Sequence, residues 1–208
     1  MTQLATRSVM FQSGDLSLEG ALHLPATTPA PGVAVCHPHP LYGGDMDNNV
    51  VVAACQALAE RGIAALRFNF RGAGRSEGVF QEGGGERDDV RAALTHLASL
   101  PEIDAKRVGL AGYSFGALVA AEVASGALRG LALVSPPVAF SDLRVAWGCP
   151  ALLLAGDGDS LVPADRLHVI AEAPGVELHV FEGADHSWWG FEDELGETLG
   201  QFFARHVQ

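Results

Sequence analysis

The apolar positions of the chain follow two patterns. Over residues 7–11 and 16–24 they alternate with polar or variable neighbours around a Ser13-Gly14-Asp15 turn, the period of two that predicts an antiparallel hairpin. After the Pro-rich connector 25–31, apolar residues gather into short continuous runs at 32–36, 63–70, 108–111, 131–134, 151–155 and 176–181. Runs this short and sharply bounded predict strands buried on both faces. The stretches between them, 48–61, 85–100, 115–125, 163–171 and 191–207, repeat apolar residues at three and four and predict helices. Alternating strand and helix requires a mainly parallel central sheet with helices on both faces, here extended by the N-terminal antiparallel hairpin, in a single domain over 1–208.

Composition agrees with a large core: 48% of the 208 residues are hydrophobic and 18% charged, so neither a metal nor a disulfide is needed for folding. Thirteen Lys and Arg against 25 Asp and Glu give a formal charge of −12. Such a field repels phosphate backbones and anionic headgroups, so neither nucleic acid nor a membrane surface is an expected partner, and neutral or cationic small molecules remain. Cys36, Cys55 and Cys149 are odd in number, widely spaced and set in apolar stretches, which suits a reducing compartment rather than a disulfide framework. The first eleven residues lack the signature of a secretory signal, so a cytoplasmic location is expected. The long apolar stretch 116–140 is broken by Glu122, Arg129, Pro136 and Pro137, which marks core rather than a membrane span.

The sharpest chemical signal is Gly112-Tyr113-Ser114-Phe115-Gly116, placed between a strand and an Ala-rich helix. A serine on such a turn is strained and held outward, and the flanking glycines are required because side chains there would collide with the neighbouring strand and helix. The turn also sets the Phe115 N–H at a helix N-terminus, where unpaired donors favour negative charge on a reacting oxygen. Taken alone, the motif is equally well a glycine-rich turn with a surface serine. A serine hydroxyl needs a base, and the base needs an orienting group. Downstream strands end in Gly156-Asp157-Gly158-Asp159-Ser160 and in Glu182-Gly183-Ala184-Asp185-His186. Ligands of open parallel sheets bind at the carboxyl ends of strands, so Ser114, Asp159 and His186 should meet at one rim. Asp159 has a plainer reading as a cap ahead of Pro163, and His186 as a loop histidine. The order serine, acid, histidine at three strand ends favours a triad over these separate readings. Asp157 is the second candidate for the acid, but its place beside the strand suggests a turn bond, and Asp185 is expected to fix its loop.

These motifs, together with HPHPLYGGDMDN at 37–48 and LRFNFRGAGRSEG at 66–78, resemble the α/β-hydrolase superfamily over essentially the whole chain, and most of all its small, dienelactone-hydrolase-like bacterial members. The resemblance implies an α/β-hydrolase fold. It also implies that the segment after the third strand supplies a second oxyanion donor. Pro38 and Pro40 have no N–H, which leaves the backbone of His39, Leu41 or Tyr42, and His39 lies where the family donor falls. Lids of this superfamily follow the sixth strand, and the 135–149 segment is too short for one, so no cap domain and an open site are expected. Among the loop aromatics Tyr42, Phe80, Trp147, Trp188 and Trp189, the first and Trp188 are the candidates for the pocket wall. Cys36, His37 and His39 could also be read as metal ligands, but strand alternation sends neighbours to opposite faces and no ligand spacing completes a site. Gly72–Gly78 matches the superfamily's RGxGxS turn better than a nucleotide loop. Gly83-Gly84-Gly85 reads as a flexible lead into the next helix, with Glu86, Asp88 and Asp89 in its first turn.

The function expected is therefore a cofactor- and metal-independent serine hydrolase acting on a small or short-chain carboxylic ester. Ser114 is its nucleophile, His186 its base, Asp159 its orienting acid, and the N–H groups of Phe115 and His39 its oxyanion donors. Amide, peptide and thioester cleavage use the same triad, and a binding protein that kept the fold without catalysis is a further alternative. The oligomeric state is left open.

Overall fold

Eight strands form one sheet in a computed structural model that describes residues 5–143 and 146–207. The first eleven residues and the 135–149 segment, read above from sequence, therefore lie partly outside the described residues. The strands are β1 (Ala5–Ser13), β2 (Leu16–Leu24), β3 (Ala30–Cys36), β4 (Ala64–Phe68), β5 (Ile103–Tyr113), β6 (Leu131–Val134), β7 (Ala151–Gly156) and β8 (Val176–Phe181). Their spatial order is β1-β2-β4-β3-β5-β6-β7-β8. β1 and β2 are the antiparallel hairpin, β2 meets β4 antiparallel, and every pair from β4 onward is parallel. This is an α/β-hydrolase fold.

Alternation along the inner strands feeds two cores. Val33, Val35 and Ala65 pack under α1 (Asn49–Glu60) and α5 (Glu192–Val207), together with Leu58, Leu199, Phe202 and Phe203. Ala34, Cys36, Leu66 and Phe68 face the other way, against α2 (Gly84–Ser99), α3 (Phe115–Val123) and α4 (Ala164–Ala171). All seven residues of β3 are buried, as a central parallel strand covered on both sides must be. Each fully buried Leu, Val or Phe contributes roughly 1.5–3 kcal/mol, so these two layers carry most of the driving force. Among the described residues, no helix is long and apolar enough to cross a membrane, and the connection between β6 and β7 holds neither helix nor strand, so it forms no cap.

Two strands depart from the apolar runs. β5 begins at Ile103 rather than 108, because its first half is a polar extension that meets β3 only at Ile103 opposite Ala30 before the register shifts. β4 stops at Phe68 rather than 70: Asn69 still donates to Glu19 O on β2 at 2.9 Å, but the Glu19 N–H turns to Ser76 Oγ and the Phe70 N–H to His37 Nε2 at 3.0 Å.

Candidate active site

Ser114 sits between β5 and α3 with φ 55° and ψ −118°, a left-handed backbone that costs a non-glycine residue on the order of 1–3 kcal/mol. The surroundings enforce it. The Ser114 N–H donates to Val134 O at 2.9 Å, and the N–H groups of Ala117 and Leu118 return to the Ser114 carbonyl. A Cβ on Gly112 would stand 2.3 Å from Gly116 O, and one on Gly116 would stand 2.5 Å from His37 O. Both glycines are thus required by the close approach of helix and strand. The first-turn N–H of Phe115 donates to no protein group among the described residues, so a free donor stands beside the hydroxyl.

β7 and β8 bring the other two groups to the same rim. His186 Nε2 lies 2.9 Å from Ser114 Oγ, and its Nδ1 lies 2.7 Å from Asp159 Oδ2. A carboxylate only accepts, so Nδ1 carries the proton and Nε2 is left to accept from the serine. The Asp159 side chain is fully buried, its other oxygen accepting from the Leu161 N–H at 3.0 Å, while the imidazole is 27% exposed at the cleft. The loops are knitted together: Asp157 N–H reaches Phe181 O and Gly158 N–H reaches Ala184 O. Asp157 Oδ1 accepts from the Gly183 N–H at 2.8 Å, so this carboxylate makes a turn bond and does not meet the histidine. Asp185 accepts from both the N–H and hydroxyl of Ser187 and fixes its own loop.

The loop after β3 completes the cleft. His37 is fully buried. Its Nδ1–H donates to Pro38 O at 2.6 Å and its Nε2 accepts from the Phe70 N–H, so both nitrogens are engaged. Burial pushes its pKa down to about 4, leaving it a neutral structural clasp. Of the three possible backbone donors, Leu41 N–H is taken by His39 Nδ1 at 3.2 Å and Tyr42 N–H by His39 O at 3.1 Å. The His39 N–H donates to no protein group among the described residues. Ser114, His186, His39 and Tyr42 share one open cleft of about 320 Å³.

The sequence profile described as X-Pro dipeptidyl-peptidase (S15 family) matches residues 14–164, a span that includes the serine and the acid and stops short of the histidine. The chain belongs to the S15 family of α/β hydrolases. This S15-family hydrolase is similar over 94% of its length to an α/β serine hydrolase homologue from Coxiella burnetii, at 34% identity, TM-score 0.85 and 96% coverage of that chain. It is similar over 99% of its length to a lid-less α/β serine hydrolase from Xanthomonas campestris, at 32% identity, TM-score 0.81 and 95% coverage of that chain. An uncharacterized protein of Rickettsia prowazekii is 34% identical over 93% of this chain and 87% of its own.

In the S15-family hydrolase, one expected pocket residue is corrected. Trp188 is not a pocket wall: it is fully buried, its Nε1–H donates to Ser135 Oγ at 2.9 Å, and its ring stands edge-on to Phe181. The backbone at Trp188 turns through φ 60°, which drives the indole beneath the histidine loop and leaves Trp189 as the exposed member of the pair, at 73%. Tyr42, 88% exposed, does line the cleft. Sequence reasoning missed Tyr113, whose hydroxyl donates to the carbonyl of His186 and whose ring lies 5.6 Å from the imidazole. Its position inside the serine motif was the available signal. Leu161 and Asn48 also line the cleft, and neither carries a chemical pattern of its own.

Proposed function

We propose that the chain is a serine hydrolase that cleaves a small or short-chain carboxylic ester through an acyl-enzyme, as one α/β-hydrolase domain over 1–208. The observation that carries the proposal is the continuous line from Asp159 through His186 to the Ser114 hydroxyl, at 2.7 and 2.9 Å. The serine proton passes to Nε2 as Oγ attacks the ester carbon. The carbonyl oxygen takes the negative charge toward the N–H groups of Phe115 and His39. The alcohol then leaves with the proton from Nε2, and water repeats the sequence to release the acid and restore Ser114. The cycle consumes only ester and water.

The family's descriptive name raises peptide cleavage as the second reading. A dipeptidyl-peptidase must hold the ammonium of its substrate's N-terminus, and among the described residues no carboxylate lines this cleft, which favours the ester. A fluorophosphonate probe read by intact mass should add once to the wild type and not to Ser114→Ala. Asp159→Asn should lower kcat by roughly 10³–10⁴-fold, since the imidazole then adopts the wrong tautomer. A panel of para-nitrophenyl esters of rising chain length beside Xaa-Pro nitroanilides decides the bond. Absence of labelling on folded protein sinks the enzyme reading, and faster turnover of the anilides replaces esterase by peptidase.

A further inference from the structure

The cleft around Ser114 presents neutral side-chain donors that have no protein partner among the described residues. Asn48 precedes α1 and caps it: its Oδ1 accepts from the Val50 N–H at 3.0 Å, which fixes the plane of the carboxamide. The other half of that amide, Nδ2–H₂, donates to no protein group among the described residues, yet Asn48 lines the cleft beside Ser114 and His186. His39 repeats the pattern. Its Nδ1 accepts from Leu41, so the neutral ring carries its proton on Nε2, which also lacks a protein partner among the described residues. Partial burial holds its pKa below the ordinary value and keeps the ring neutral.

Three carbonyls of the loop after β3 are occupied. Pro38 O accepts from the His37 ring, His39 O from the Tyr42 and Gly44 N–H groups, and Pro40 O from the Gly43 N–H. The Tyr113 hydroxyl is committed to the carbonyl of His186. Among the described residues, no Lys, Arg, Asp or Glu lines the cleft. A substrate carboxylate would find no cation there, and a substrate ammonium no anion. Besides the two backbone oxyanion donors and the Tyr42 hydroxyl, the unmatched groups include this pair of neutral side-chain donors, which an uncharged oxygen satisfies.

The geometry points to Asn48 as the residue that sets substrate specificity, with its amide donating to an ether, hydroxyl or carbonyl oxygen next to the scissile ester. This rests on the ester-hydrolase reading, so the substrate class becomes small esters bearing a second, uncharged oxygen. The test compares shape-matched pairs: para-nitrophenyl methoxyacetate against butyrate on the acyl side, and methoxyethyl acetate against butyl acetate on the alcohol side. Within each pair an ether oxygen replaces a methylene, and its intrinsic effect on reactivity cancels when variants are compared.

The variants are Asn48→Asp and Asn48→Ser. Both keep an oxygen to cap α1; the first turns the donor into an acceptor and the second draws it back from the cleft. Thermal unfolding and labelling of Ser114 by fluorophosphonate verify that each is folded and assembled. In at least one of the two pairs, the ratio of kcat/KM for the oxygen-bearing ester to that for its hydrocarbon match should fall about fivefold or more from wild type to Asn48→Asp, and less in Asn48→Ser. Labelled variants whose ratios equal the wild type in both pairs overturn the role of Asn48 and leave the esterase reading standing. A wild type that turns over none of the four esters overturns both.

Discussion

Trp188 holds the histidine loop from beneath. Its indole is fully buried between Phe181 and Ser135, two positions after the imidazole that faces the serine. Trp188→Ala should cost about 3–5 kcal/mol through the cavity it leaves. Trp188→Phe, which keeps most of the ring packing but loses the Ser135 hydrogen bond and a small part of the ring volume, should cost less, about 1–3 kcal/mol. Urea unfolding separates the two, and equal losses would mean that the hydrogen bond rather than the packing holds the loop. Neighbouring tryptophans look alike in a sequence; which one turns inward was decided by the positive φ at Trp188, a property of the folded turn. His37 offers a second test at this scale. Its folded pKa, about 4, lies below the ordinary histidine value of 6.5, so its contribution is full above about pH 6.5 and is lost as the pH falls from there toward 4. At pH 5 the unfolded chain gains roughly 2 kcal/mol by binding the proton that the fold excludes. The stability advantage of wild type over His37→Gln should therefore shrink by that amount between pH 7 and pH 5. A constant difference would place the proton elsewhere.

Elements are joined by buried polar contacts that no local pattern announces. Asp89 on α2 is fully buried and accepts four hydrogen bonds: one from the Ser13 hydroxyl on β1, and three from the N–H, Nε and Nη2 of Arg71, just beyond β4. Asp89→Ala leaves the guanidinium in the interior without its counter-charge and should cost about 3–5 kcal/mol. The double variant Arg71→Met with Asp89→Leu should recover much of that loss. Chemical denaturation of both, with the double variant as unstable as the single, would deny that the unpaired charge is the cause. The same contact explains Gly85. A Cβ there would stand 2.0 Å from Arg71 Nη1, and the neighbouring Gly83 N–H is held by the buried Glu86 carboxylate at 2.8 Å. Gly85 is thus a packed position where the sequence suggested a flexible lead, while Gly84 stands open to solvent. The strand ends bearing Ser114, Asp159 and His186 were legible because each follows from a local apolar run and its turn. The lead into α2 and the polar half of β5 were not, because partners distant in sequence define them.

At the scale of the molecule, the sheet order fixes where the cleft lies. β3 is flanked by β4 on one side and β5 on the other, with α1 on one face of the sheet and α3 on the other. The loops leaving β3 and β5 diverge there and open the crevice that an α/β sheet offers a ligand. The charge of −12 acts on whatever approaches it. The exposed Asp185 precedes His186, and Asp47, also exposed, adjoins Asn48 at the cleft, although Arg67 pairs with Asp47. With no Lys, Arg, Asp or Glu in the lining among the described residues, this field should govern encounter rather than bound geometry. At about 10 mM salt, where screening extends to roughly 30 Å, a choline ester should be favoured over a neutral ester of the same acid, and a succinate half-ester disfavoured. At about 1 M salt the range falls to roughly 3 Å, and the three values of kcat/KM should converge, the cationic falling, the anionic rising and the neutral holding level. The discrimination would then be electrostatic and long-ranged. Three substrates that respond to salt alike would place it inside the cleft, where the lining offers no charge to account for it.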